Sequence, residues 1–174
     1  GIDTEEIVRI GKHPETEVVA AATAADTNIL IIGRRPVRGD LKEKLLGDIA
    51  TRIAAQASCH VLVAGWQSRM WQRRILVATD CSPGGEHVTE IAAAVAKATA
   101  TPITLVAWGH QREAVEPDLV LRADQIKLEG VDCDTLYVEG PAEQAIVSTA
   151  LDLGADLVVI GNHHVLGGGV PEHI

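Results

Sequence analysis

The chain has 174 residues, 47% hydrophobic and 22% charged, a globular composition with room for one full core or parts of two. Its net charge of −9 opposes a nucleic-acid backbone, its apolar runs are too short to span a bilayer, and no charged-then-apolar leader opens it. Phe is absent and aromatics make up only 2%, so the core must be built from Val, Ile, Leu and Ala, which suits parallel strands buried on both faces.

In chain order, residues 1–33 (GIDTEEIVRIGKHPETEVVAAATAADTNILIIG) predict a short strand ending at Gly11, an Ala-rich helix with an acidic first turn, and an aliphatic strand ending at Gly33. A loop follows, then a helix near 42–57 and a strand over 60–64. Residues 66–73 are polar, carry Trp66 and Trp71, and predict a linker. A buried strand is expected over 75–79, closed by Asp80 and the turn Cys81-Ser82-Pro83-Gly84-Gly85. Val88, Ile91, Ala92, Val95 and Ala98 recur at helical spacing over 86–98. Beyond them come a strand over 103–108, a helix over 119–128, a strand near 135–138, a helix over about 142–153 and a strand over 157–160.

Residues 130–161 (GVDCDTLYVEGPAEQAIVSTALDLGADLVVIG) repeat the plan of residues 1–33. Both open Gly-aliphatic-Asp, pass a Gly (Gly11, Gly140), and close on an aliphatic strand ending in Gly (Gly33, Gly161). We therefore expect residues 1–65 to be the C-terminal half of a first domain and 66–73 a linker. Residues 74–174 would be a second domain lacking its last helix and strand, the whole belonging to a longer tandem protein. Alternating strands and helices predict an α/β fold with a doubly wound, open parallel sheet and helices on both faces. Ligands of such sheets bind at the carboxyl ends of the strands, where the strand order reverses. Asp80 would lie beside that point. Its carboxylate suits a ribose or an adenine amino group, and equally an Asx cap over the Ser82-Pro83 segment.

Other residues invite weaker chemistry. His163, His164 and His173 suggest a metal, against a polar loop, and we expect no metal site. Cys81 and Ser82 near His87 suggest a nucleophile and base, against the capping of a helix start. No catalytic residue is assigned. Cys59, Cys81 and Cys133 are widely spaced and read as reduced thiols of a cytoplasmic protein, Cys59 in the core. Trp66, Trp71 and Trp108 suit an interface or packing over the linker.

Two segments carry a family likeness. ILVATDCSPGGEHVTEIAAAVAKA resembles the opening strand, acid, Ser-Pro turn and first helix of the universal stress protein family. GRRPVRGDLKEKLLGDIATRIAAQASCHVLVAG resembles its closing Gly-rich loop, helix and final strand. The resemblance implies a Rossmann-like, adenine nucleotide alpha hydrolase-like sheet of order 3-2-1-4-5, a role in the stress response, and a homodimer or internal pseudo-dimer with an unknown protein partner. One branch of the family binds ATP through Gly, two residues, Gly, nine residues, Gly and Ser or Thr, small residues letting backbone N–H groups approach phosphate.

Both copies depart from that pattern. In the first, Pro36 replaces the second Gly and Asp48 stands where a hydroxyl is expected; in the second, His164 replaces the second Gly. What the resemblance implies for a site is then as follows. Ala78, Thr79, Asp80 and Ile103 flank an adenosine, while Gly161, Asn162, His163, Gly167 and Gly168 face phosphates. Gly33, Arg34 and Gly47 are the first copy's remnants. The ligand would be ATP, ADP or AMP, with Mg accompanying it. The function expected is a regulatory binding module acting through association rather than catalysis. The alternatives are a weak ATP hydrolase and a cytosolic domain of a transporter.

Overall fold

A computed structural model describes residues 3–34, 48–65, 68–82 and 85–161. The chain divides into two compact units, Gly1–Arg69 and Met70–Ile174.

The first unit holds α1 (Pro14–Ala24), β1 (Ile29–Arg34), α2 (Asp48–Gln56) and β2 (His60–Gly65). Pro14 opens α1, where its missing N–H costs nothing, and the carbonyl of His13 accepts from Thr16 and Glu17. β1 and β2 pair in parallel from Ile29 opposite His60 to Arg34 opposite Gly65. Ala50 and Ile53 of α2 are its buried apolar residues, and Glu15 of α1 is buried at 3.4 Å from Arg52. Residues 3–11, expected to include a strand, are irregular and exposed. A strand needs a hydrogen-bonded neighbour, and among the described residues β1 and β2 pair only with each other. Cys59, expected in the core, is half-buried. The helix expected from 42 is described from Asp48 onward, and residues 42–47 lie outside the described ones.

The second unit alternates β3 (Ile75–Ala78), α3 (Glu86–Thr99), β4 (Ile103–Gly109), α4 (Arg112–Leu128), β5 (Cys133–Glu139), α5 (Ala142–Asp152) and β6 (Leu157–Ile160). The four strands are parallel in the order β5-β4-β3-β6, so the unit's first strand is central and its third lies outermost. Side chains alternate between the two faces with the strand period of two. Ile75, Val77, Ile103, Leu105, Ala107 and Cys133 meet Ala92, Ala93 and Ala96 of α3 and Leu119, Ala123 and Ile126 of α4. Leu76, Ala78 and Val106 meet Ile146 and Ala150 near α5 on the opposite face. The alanines let α3 lie close to the sheet, and each fully buried Leu, Ile or Val contributes roughly 1.5–3 kcal/mol.

Two elements outgrow their sequence signals. α4 starts at Arg112, not near 119, and carries Pro117 inside it. Proline removes one helical hydrogen bond, yet Val115 packs on the core a turn before Leu119, and Arg112 bonds Glu116 at 3.0 and 2.8 Å. Packing on the sheet outweighs the broken bond. β5 starts at Cys133 because it pairs with all of β4, from Ile103 opposite Cys133 to Gly109 opposite Glu139.

Part of the expected linker belongs to this unit. The Asp156 carboxylate accepts from the backbone N–H groups of Gln72 (2.8 Å), Arg73 (3.1 Å) and Arg74 (3.1 Å). Trp71 packs against the core, while Trp66 lies outside the described residues. Among the described residues no helix is long and apolar enough to cross a membrane.

Candidate functional site

The strand order reverses at β3, which has β4 on one side and β6 on the other, their crossovers running over opposite faces. The carboxyl edge beside β3 is thus the place where this architecture opens a crevice. Ala78 and Thr79 arrive there buried, and the Thr79 N–H donates to the Val106 carbonyl at 3.0 Å, extending the ladder one residue past β3. Asp80 follows, exposed. On the other side Ile160 lies opposite Ala78, so Gly161 emerges beside them, half-buried.

The turn after β3 is densely bonded. Thr79 Oγ1 accepts from the Cys81 N–H at 3.1 Å, and Asp80 Oδ1 accepts from the Ser82 N–H at 2.9 Å. The second is an Asx turn, so the capping role weighed for Asp80 is present in the fold. Gly85 closes the turn, its N–H donating to the Ser82 carbonyl at 2.9 Å. A Cβ on Gly85 would stand 3.0 Å from Thr79 Oγ1, which leaves space for glycine alone unless that hydroxyl shifts.

Ser82 does not cap α3 with its side chain. The N-cap is Gly85, no side-chain cap bond forms, and Ser82 Oγ is buried without a partner among the described residues. Burial pushes the Cys81 thiol up despite the opposing Arg122 charge, and exposed His87 lies 3.6 Å from Glu90. Cys133 is pushed up to about 11 by burial.

Of the residues expected around an adenosine, Ala78, Thr79 and Asp80 come together at this edge, and Gly161, expected to face phosphates, lies beside them. Ile103 does not. It pairs with Ile75 at the amino end of the sheet and is fully buried in the core. Strand register decides this, since the residue of β4 beside Ala78 is Val106, followed by Ala107, Trp108 and Gly109. Counting both strands from their first aliphatic residue would have found it. Gly33 and Arg34 end β1 in the first unit, opposite Ala64 and Gly65. Gly47, Asn162, His163, Gly167 and Gly168 lie outside the described residues, as do Pro36, His164 and His173. Among the described residues no three His, Cys, Asp or Glu side chains are grouped to hold a metal ion.

One residue of the edge escaped the sequence reading. Arg122 of α4 is 8% exposed, and its Nη2 donates to the carbonyls of Cys81 (3.3 Å) and Ser82 (3.0 Å). Its only signal was a cation interrupting the apolar spacing Leu119, Ala123, Ile126. A separate open cleft of about 400 Å³ lies toward the amino ends of β4 and β5, where Arg74 bonds Thr104 (2.7 Å) and Asp134 (3.2 Å). Arg74 and Asp134 pair with each other there, and the strand-order reversal favours ligands at the carboxyl ends of the strands, so the carboxyl edge is the better candidate.

Comparison with known proteins follows the same lines. The pattern of the universal stress protein family matches residues 1–65 and 72–170. No curated protein sequence matches the chain. A universal stress protein from Archaeoglobus fulgidus DSM 4304 is similar over 86% of this chain and 54% of its own, at 22% identity and a TM-score of 0.69. A functionally unknown protein from Pseudomonas aeruginosa PAO1 is similar over 90% of this chain and 59% of its own, at 20% identity and a TM-score of 0.67. The chain therefore spans a little over half the length of these two proteins, and the likeness is one of fold. A universal stress protein solved in complex with cAMP is similar over 55% of this chain and 79% of its own, at 23% identity and a TM-score of 0.48.

Proposed function

Because the chain belongs to the universal stress protein family, we propose that its second unit is a regulatory binding module for an adenine nucleotide, acting through association rather than through chemistry. The observation that carries the reading is the placement of Thr79, Asp80 and Gly161 at one carboxyl edge, beside the strand-order reversal. An exposed carboxylate there suits hydroxyls of a ribose or an exocyclic amine. The turn beneath it is already ordered by its own hydrogen bonds, so binding costs less ordering entropy. The phosphates would meet the segment after Gly161, with Mg accompanying them. Association is supported by the first unit's strand β1, where Ile29 and Ile31 are 51% and 62% exposed. A second copy or a tandem neighbour is the partner proposed for such a face.

The test is thermal melting with and without millimolar Mg-ATP, ADP and AMP. Ligand at about 100 times its dissociation constant adds about 2.7 kcal/mol, a shift of several degrees. Asp80→Ala should weaken binding roughly 10- to 100-fold, as expected for loss of a charged acceptor, whereas Asp80→Asn keeps the Asx turn and melts like the wild type without ligand. No shift with any of the three nucleotides overturns nucleotide binding. Phosphate release above a buffer blank, lost in Asp80→Ala, overturns association without chemistry. Sedimentation over rising concentration checks self-association, and a monomer throughout speaks against a second copy.

A further inference from the structure

Arg122 is a buried cation with an unusual set of partners. Its side chain is buried on α4, and Nη2 spans two consecutive carbonyls about forty residues away in the chain, those of Cys81 and Ser82. Nη1 is shut off from water and has no hydrogen-bond partner among the described residues. A buried guanidinium with an orphaned donor is a poor source of stability. What it contacts is more informative. Cys81 has φ +58°, the left-handed region that residues with a Cβ avoid. Such a conformation persists only where the surroundings over-determine it. Here Thr79 Oγ1 holds the Cys81 N–H, Asp80 Oδ1 holds the Ser82 N–H, and Gly85 N–H holds the Ser82 carbonyl. All three anchors are local. Arg122 reaches the turn from another element, and its single nitrogen Nη2 ties two adjacent carbonyls to α4.

We propose that Arg122 is a positioning residue that clamps the Cys81–Ser82 turn in its left-handed conformation and so holds the Asp80 carboxylate at the carboxyl edge of the sheet. The effect on ligand rests on the nucleotide reading above; the clamp itself does not.

The experiment uses the full chain as Arg122→Met, which keeps the apolar stem, and Arg122→Lys, which keeps the charge and a nitrogen donor on a shorter side chain. Iodoacetamide labelling is followed at each cysteine by mass spectrometry. Releasing the turn should speed labelling of half-buried Cys81 by about tenfold or more in Arg122→Met and less in Arg122→Lys, as expected for a local opening. Cys133, buried in the same unit, reports global unfolding and should keep its rate. Unchanged labelling of Cys81 in both variants overturns the clamp, as does acceleration of Cys81 and Cys133 in step in both. Mg-ATP affinity supplies the second readout. Arg122→Met should lose about as much affinity as Asp80→Ala, and Cys81→Gly added to it should recover much of the loss, because glycine adopts the left-handed region without strain. Faster Cys81 labelling with undiminished affinity overturns the link to Asp80. A wild-type chain that ignores Mg-ATP removes the nucleotide reading and leaves the labelling to judge the clamp.

Discussion

The strands β1 and β3 are nearly the same peptide in composition, Ile-Leu-Ile-Ile against Ile-Leu-Val-Ala, yet they live in different environments. Every residue of β3 is at most 3% exposed, while Ile29 and Ile31 of β1 are more than half exposed. The difference is position within a sheet. β3 has a strand on each side and helices on both faces; β1 pairs with β2 alone among the described residues. Aliphatic composition makes a strand fit for burial, and only its neighbours bury it. A parallel pair by itself leaves one partner's face in water, which is why parallel sheets depend on crossover helices.

The largest test of this contrast is truncation. Leu105→Ala in β4 should cost about 2–5 kcal/mol in urea melts followed in the second unit, because the site is fully enclosed. Ile31→Ala in β1 should stay within about 0.5 kcal/mol, and an equal cost at both sites would break the comparison. Hydrogen exchange sharpens it. Amides of β3 and β4 should exchange only through global opening, and those of β1 and β2 orders of magnitude faster through local opening.

A smaller effect concerns the clasp at the start of the second unit. Partial burial pushes the Asp156 carboxyl up, but the bonds from Gln72, Arg74 and Arg73 outweigh it and hold the group below its ordinary value of 3.8. With the folded value depressed, its contribution is complete above the ordinary value and is lost as pH falls through the folded one. Asp156→Ala should therefore cost about 1 kcal/mol at neutral pH, discounted for its exposure. It should also flatten the acid limb of the stability curve below about pH 4. An acid limb identical to the wild type would sink this. The smallest effect is at Arg112, whose bidentate bond to Glu116 is on the surface. Arg112→Ala should leave the melting temperature unchanged in high salt.

Much of the fold was legible because its signals are local. Aliphatic runs bounded by Gly and the helical spacing of 86–98 need no knowledge of neighbours, and each marks an element that forms. The expected strand ahead of Gly11 carried a similar local signal and stayed irregular, since a strand is completed by a partner elsewhere in the chain. The start of α4 was hidden for a related reason. Pro117 reads locally as a break, and the contacts that outweigh it come from the sheet.

The candidate site divides the same way. The sequence by itself determined an aliphatic strand closed by Thr79-Asp80, a Gly-rich turn behind it, and a second aliphatic strand ending at Gly161. Only the tertiary structure decided that these two ends lie side by side, that Ile103 sits at the far end of its strand, and that Arg122 is buried beneath the Asp80 turn. Residue type and spacing act over a few residues, whereas register and burial are set by hydrogen bonds and packing between segments tens of residues apart.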